Sequence, residues 1–91
     1  MIRVTDEDRK KHRGYPDHVI FGMKLIRKLP TEMLQNSLVS VNYHEAIRAA
    51  IAENTGKQPD SPWLTCLIAE ELCFHRGVLN SLDYDRITRH L

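Results

Sequence analysis

The chain has 91 residues, of which 42% are hydrophobic and 27% charged, with a net charge of +1. This composition is typical of one globular domain with a modest core, and we expect residues 1–91 to form it. The small net charge excludes a global field that would attract nucleic acid or an anionic membrane. No apolar run reaches the ~20 residues that cross a bilayer. The N-terminus lacks the apolar segment of a signal peptide, so we expect a cytoplasmic protein.

Residues 1–14 predict a peripheral basic helix or arm. Thr5 can cap a helix, and Gly14 can end it. Acidic residues come first and basic residues last, which is the order that the helix dipole prefers. The basic residues are Arg9, Lys10, Lys11 and Arg13. Because the acidic residues offset their charge, we favour a solvated surface helix over an arm that binds phosphate.

Two further helices are predicted before residue 42. Apolar residues recur at helical spacing from Val19 to Leu29, and Pro30 ends that helix. Thr31 is the predicted cap of the next helix. Residues 36–41 contain poor helix formers, so this part is a weak or kinked helix or, alternatively, a short strand.

An alanine-rich helix is predicted from Tyr43 to Asn54. Asn42 and Glu45 resemble a capping box at its start. Small side chains on most of its surface allow a neighbouring backbone to come close. One apolar strip, which includes Ile47, is expected to face the core.

Residues 61–77 form the predicted central helix. Ser61 is its expected cap, Pro62 fits its first turn, and Gly77 can close it in the left-handed conformation. Apolar residues point in almost every direction between these ends, as in a buried helix. Trp63, Leu67 and Phe74 are expected on one side. The predicted fold is therefore all-α, a small bundle of four to six helices around this one.

A last helix is predicted after Asn80 or Ser81, either of which can cap it. Its expected apolar positions are Leu82, Ile87 and Leu91.

The sequence predicts no catalytic residues and no cofactor. It contains no nucleophile elbow, no zinc-protease motif and no glycine-rich phosphate loop. A general base needs a partner that orients it or shifts its pKa, and the sequence alone reveals none. The protein is therefore predicted not to be an enzyme, and no small-molecule substrate is indicated.

No metal site is predicted either. Cys66, Glu70 and Cys73 share a face of the central helix, but one helix seldom provides three ligands. The two cysteines lie about 10 Å apart along its axis, too far for a disulfide. We interpret them as reduced structural residues, which again favours the cytoplasm.

The predicted function is protein–protein interaction through helix faces, as a small non-enzymatic regulatory or inhibitor-type protein. Alanines on the outer side of the fourth helix would meet a partner, either a second copy in a homodimer or another protein. Glu45 and Arg48 could pair across that interface. The predicted partner-binding residues are Ala46, Ala49, Ala52, Glu45 and Arg48.

The alternative is DNA binding through the C-terminal helix. Residues 72–91 resemble a helix-turn-helix motif in the spacing of Cys73, Gly77 and Val78. Two acidic residues, Asp83 and Asp85, lie where such a helix would meet DNA and oppose this interpretation. The residues that would contact nucleic acid are Arg86, Arg89 and His90, together with Arg9, Lys10, Lys11 and Arg13.

Overall fold

The computed structural model describes residues 2–89 and 91, which form six α-helices and one π-helical turn. The helices are α1 (Asp6–Lys11), α2 (Asp17–Lys28), α3 (Thr31–Val39), α4 (Val41–Thr55), α5 (Ser61–Glu70) and α6 (Ser81–Thr88), and the π-turn (Glu71–His75) directly continues α5. The described residues contain no strand, so the predicted all-α fold is confirmed. None of the helices described is both long and apolar enough to span a bilayer.

The predicted central helix lies at the centre of the core. α5 contacts α2, α3 and α6, and the π-turn contacts α3. Leu64, Ile68 and Leu72 are fully buried. The other large core side chains come from α2, α3 and α4: Ile20, Phe21, Ile26, Leu34, Ile47 and Ile51. Burial of this many apolar side chains around one helix is the main stabilising contribution to the fold.

The start of α5 differs from the prediction by one residue. Asp60, not Ser61, is the cap, and its carboxylate accepts a hydrogen bond of 2.8 Å from the Trp63 N–H. The carboxylate therefore satisfies the free N–H group that the Ser61 hydroxyl was expected to bind. That hydroxyl is left available for another partner. Gly77 has a positive φ of 64°, as expected for the residue after this segment.

The π-turn changes the direction of the side chains that follow α5. The Arg76 N–H donates to the carbonyl of Glu71, five residues earlier, whereas α-helical bonds span four. This wider turn breaks the regular helical spacing on which the predicted apolar sides depend. Phe74, expected beside Trp63 and Leu67, is instead 64% exposed and meets the edge of the Tyr84 ring.

The Arg76 side chain explains why the π-turn is stable. Its guanidinium pairs with the Glu71 carboxylate at 2.9 Å, and both side chains are largely buried. It also donates to the Thr31 hydroxyl at 3.0 Å and to the carbonyls of Ile26 and Arg27 at 3.1 Å. These carbonyls lie in the last turn of α2, where the regular α-helical donors end, although the Ile26 carbonyl also accepts from the Leu29 N–H at 3.3 Å. Arg76 therefore joins the end of α2, the start of α3 and the π-turn.

Two predicted caps are wrong. The Thr31 hydroxyl accepts from Arg76, and no side chain caps the start of α3. α4 begins at Val41, so Asn42 lies inside the helix and forms no capping box with Glu45. The local capping signals were overridden by tertiary contacts and by the position of the corner between the two helices.

That corner also settles the conformation of residues 36–41. α3 continues to Val39, and Ser40 has an extended backbone before α4 begins. The strand alternative is therefore wrong. Leu34 and Leu38 pack into the core, and this packing outweighs the poor helix propensity of the neighbouring residues.

Within the predicted N-terminal segment, α1 is a short helix on the surface of the fold. Thr5 and Asp8 form a capping box, and α1 has no buried residue. Arg9 pairs with Asp17 at 3.0 Å, and Lys24 pairs with Asp8 at 2.6 Å. These contacts attach α1 to α2.

Gly22 allows a close approach between α2 and the helices beside it. A methyl group added there would lie 3.1 Å from the Trp63 ring and 3.2 Å from the Ile51 Cδ1 atom. Both distances are tighter than ordinary van der Waals contact. The absence of a side chain thus lets the indole of α5 pack directly on the α2 backbone.

The apolar residues of the last helix are mostly exposed. Asn80 caps α6 by accepting from the Asp83 N–H at 2.8 Å. Leu82 is 75% exposed and Leu91 is also exposed, whereas Ile87 is half-buried. Two of the three predicted apolar positions therefore lie at the surface and not against the core.

Candidate functional site

An apolar groove lies between α2, α3 and α4. Its volume is about 250 Å³. Tyr43 is the one lining residue with a polar side-chain atom, and it is 46% exposed. The groove is lined by Leu25, Leu29, Met33, Tyr43, Ala46, Ile47 and Ala50. An open groove with apolar walls can bind apolar side chains of another molecule.

The sequence creates this groove by placing small residues opposite large ones. Ala46 and Ala50 are four residues apart, so they lie on one side of α4. Leu25 on α2 and Leu29, the residue directly after α2, also line the groove. The alanines leave unfilled the space that larger side chains would occupy.

The three alanines of the predicted partner strip differ in exposure and in their position relative to the groove. Ala46 is exposed and lines the groove. Ala49 is exposed outside the groove, and Ala52 is half-buried. Ala46 is therefore the one alanine of the predicted strip that is among the groove's lining residues.

The predicted charged pair is satisfied within the chain. Arg48 contacts the Glu45 carboxylate at 2.9 Å on the same helix. Its guanidinium also donates to the Pro59 carbonyl at 3.0 Å. Arg48 therefore holds the loop before α5 against α4.

A second cavity, of about 260 Å³, lies where α3, α4 and α5 meet. His44 and Ser61 are both among its lining residues, and the Ser61 Oγ lies 2.8 Å from the His44 Nε2. His44 is buried, whereas Ser61 is half-buried. The remaining walls are Ser37, Leu38, Val39, Ser40, Val41, Glu45 and Thr65. This hydroxyl-rich cavity shares no lining residue with the groove.

Burial lowers the pKa of His44. Loss of hydration disfavours the charged imidazolium. The charge of Glu45 acts in the opposite direction, and that of Arg48 lowers the pKa further. The imidazole is therefore neutral at physiological pH. If its proton is on Nδ1, Nε2 can accept the hydroxyl hydrogen of Ser61.

The residues of the predicted DNA-binding alternative lie on two separate parts of the fold. α1 packs on α2, and α6 packs on α5. Arg9 is paired with Asp6 and Asp17, and Arg86 lies 3.9 Å from Asp83. Arg9 and Arg86 are nevertheless exposed, as are Lys10, Lys11, Arg13 and Arg89. His90 lies outside the described residues.

The two cysteines are free and half-buried rather than fully buried. Burial raises the pKa of the Cys66 thiol, and the charge of Glu70 raises it further. Burial and then Glu70 likewise raise the pKa of Tyr84. In residues 2–89 and 91, the structure groups no three metal-ligating side chains together.

Sequence reasoning did not identify His44 and Ser61 as a pair. Their hydrogen bond joins residues 17 positions apart, and no motif marks it. One available signal was Asp60, a strong cap residue directly before Ser61. Assigning the cap to Asp60 would have left the Ser61 hydroxyl without a role.

Comparison with protein-family models, with curated proteins and with solved structures finds no match for this chain. Its function is therefore inferred from its own side chains.

Proposed function

We propose that the protein is a small regulatory protein that binds another protein through the groove of α2, α3 and α4. The observation that carries this proposal is the apolar lining of the groove, which includes the predicted interface residue Ala46. The preferred occupant is an apolar side chain on an amphipathic helix, since such helices insert regularly spaced anchors into apolar grooves.

The chemistry of the walls supports an apolar occupant. Among the described residues, no charged side chain lines the groove, so an inserted ammonium or carboxylate would lose its hydration without gaining an ion pair. The Tyr43 hydroxyl adds one group that can hydrogen-bond to a partner backbone or side chain. Tyrosine is also one of the residue types enriched in protein interfaces.

Two alanines of α4 make a matched test. Ala46→Glu places a carboxylate in the groove, whereas Ala49→Glu places one on the same helix outside it. Both alanines are exposed, so neither change inserts a charge into the core. Thermal melts should show that the two variants are about equally stable.

The binding experiment compares proteins captured by the wild type and both variants from a lysate of the native host. We expect at least one protein that the wild type and Ala49→Glu retain and that Ala46→Glu loses. Its retention should change little with salt, because apolar burial is not screened. If Ala46→Glu and wild type capture the same proteins, the groove is not the binding site.

A second copy of the chain is the other protein occupant. Sedimentation of the three proteins at micromolar concentration tests it directly. A wild-type dimer that Ala46→Glu dissociates and Ala49→Glu preserves would identify the groove as a self-association site. A monomer in all three samples would leave a different protein as the partner.

The cytoplasm is the proposed compartment. Two free thiols support a reducing environment. DNA binding stays the alternative prediction, since several of its basic residues are paired with carboxylates in the fold. Retention on a DNA column that falls steeply with salt would favour it.

A further inference from the structure

The contact between Ser61 and His44 has the geometry of a nucleophile and its base. A distance of 2.8 Å joins the hydroxyl oxygen to the ring nitrogen. Hydrogen-bond reach between the two groups is one part of the signature of such catalytic pairs. Both residues line a cavity that opens to solvent, so a small molecule can reach the half-buried hydroxyl.

The position of Ser61 supports reactivity of its hydroxyl. Asp60 caps α5, so the Ser61 hydroxyl is not needed to accept a hydrogen bond from the N–H groups at the start of the helix. Ser61 is also the first residue of a ten-residue helix. The positive end of the helix dipole favours the negative charge that develops on an attacking oxygen.

We propose that Ser61 is a nucleophile with His44 as its general base, and that it accepts the acyl group of a small uncharged ester. The cavity of about 260 Å³ is small for a ligand site, which limits the acyl group to a few atoms. Glu45 on the cavity wall disfavours an anionic substrate.

The reaction balances with the groups present. The Ser61 oxygen attacks the carbonyl carbon of the ester while the His44 Nε2 takes the hydroxyl proton. The tetrahedral intermediate then breaks its bond to the leaving oxygen, which takes the proton from His44 and departs as an alcohol. The acyl group remains on Ser61 as a new ester. A neutral imidazole is the protonation state that this step requires.

This inference goes beyond the groove and does not rest on it, because the two sites share no lining residue. It also runs against the sequence-based expectation that the protein performs no chemistry. The sequence provided no partner for a histidine base, whereas the structure places Ser61 against His44.

Ser81 is a matched internal control. It is the first residue of α6 and follows a capping residue, Asn80, as Ser61 follows Asp60. Within the described part of the chain, its hydroxyl contacts no histidine. Ser81 is the more exposed of the two serines, so a faster reaction at Ser61 reports what the contact with His44 contributes.

The experiment treats the full chain with p-nitrophenyl acetate and maps acetylated peptides by mass spectrometry over time. General-base assistance is worth ~10²–10⁴-fold, and we expect acetylation of Ser61 at least ~100-fold faster than that of Ser81. Ser61→Ala should remove the fast site. His44→Gln should slow it to the rate of Ser81, with circular dichroism checking that the variant is folded.

Equal rates at Ser61 and Ser81 in the unmodified protein would overturn the proposal without any variant. Fast acetylation of Ser61 that persists in folded His44→Gln would also overturn it. If His44→Gln does not fold, the comparison of the two serines in the wild type decides the question.

Discussion

Replacing Arg76 with methionine tests the contact that joins α2, α3 and the π-turn. The substitution keeps much of the aliphatic volume but removes the guanidinium. Glu71 is only 8% exposed, and its carboxylate loses the cationic partner that it has in the wild type. The carbonyls of Ile26 and Arg27 lose a charged donor as well.

The expected cost follows from the burial of the pair. Removing one partner of a buried ion pair costs ~3–5 kcal/mol, since the other charge stays desolvated. The Arg76 side chain keeps 17% exposure, so water can reach the vacated space and the lower value of ~3 kcal/mol applies. For a domain of this size the melting temperature should fall by ~12–24 °C.

The control is the double variant Glu71→Gln with Arg76→Met, which leaves a neutral amide in place of the orphaned carboxylate. Denaturant and thermal melts of the wild type, both single variants and the double variant form a complete cycle. The double variant should be more stable than Arg76→Met alone. If Arg76→Met costs less than ~1 kcal/mol, or the two changes are additive, the ion pair does not hold this corner together.

Three other outcomes can be measured on the same preparations. Ile68→Ala should cost ~2–5 kcal/mol in denaturant melts, and Leu67→Ala less, because Ile68 is fully buried and Leu67 only partly; equal costs would contradict the observed packing. Lys24 holds the pKa of Asp8 well below its usual range, so the pair stabilises the fold above the unfolded-state value and this contribution is lost in acid. Asp8→Asn should therefore lower the melting temperature at neutral pH, and the difference should shrink as the pH falls below ~4; a difference independent of pH would refute the ion pair. Cys66 should react with N-ethylmaleimide more slowly than a free cysteine because burial raises its thiol pKa, and a chelator should leave the melting temperature unchanged.

The central and second helices could be predicted from sequence because their signals are local. Apolar spacing from Val19 to Leu29, with Pro30 after it, predicted α2 and placed its C-terminal end to within a residue. The apolar residues on almost every side of α5 predicted that this helix is buried. The π-turn could not be predicted in this way, since it depends on contacts between Arg76 and residues 45 to 50 positions earlier.

The candidate groove was predicted only in part. Ala46, Ala49 and Ala52 are spaced by three, and each step of three turns ~60° away from the previous position. Such a strip winds around α4, whereas the groove follows positions four apart, namely Ala46 and Ala50. The other wall comes from α2 and α3, so its shape depended on tertiary packing that helical spacing does not specify.

The position of Arg76 late in the chain has a consequence during synthesis. The groups that it binds at the end of α2 and the start of α3 emerge from the ribosome 45 to 50 residues earlier. At translation rates of ~5–20 residues per second, that interval lasts about 2 to 10 s. For most of that interval, Ile26 and Leu34 also lack Leu64, Ile68 and Leu72, the apolar residues of the later central segment. The N-terminal half is therefore an incomplete, apolar nascent chain until the last fifth of the sequence appears, and that interval is when a chaperone would be of most use to it.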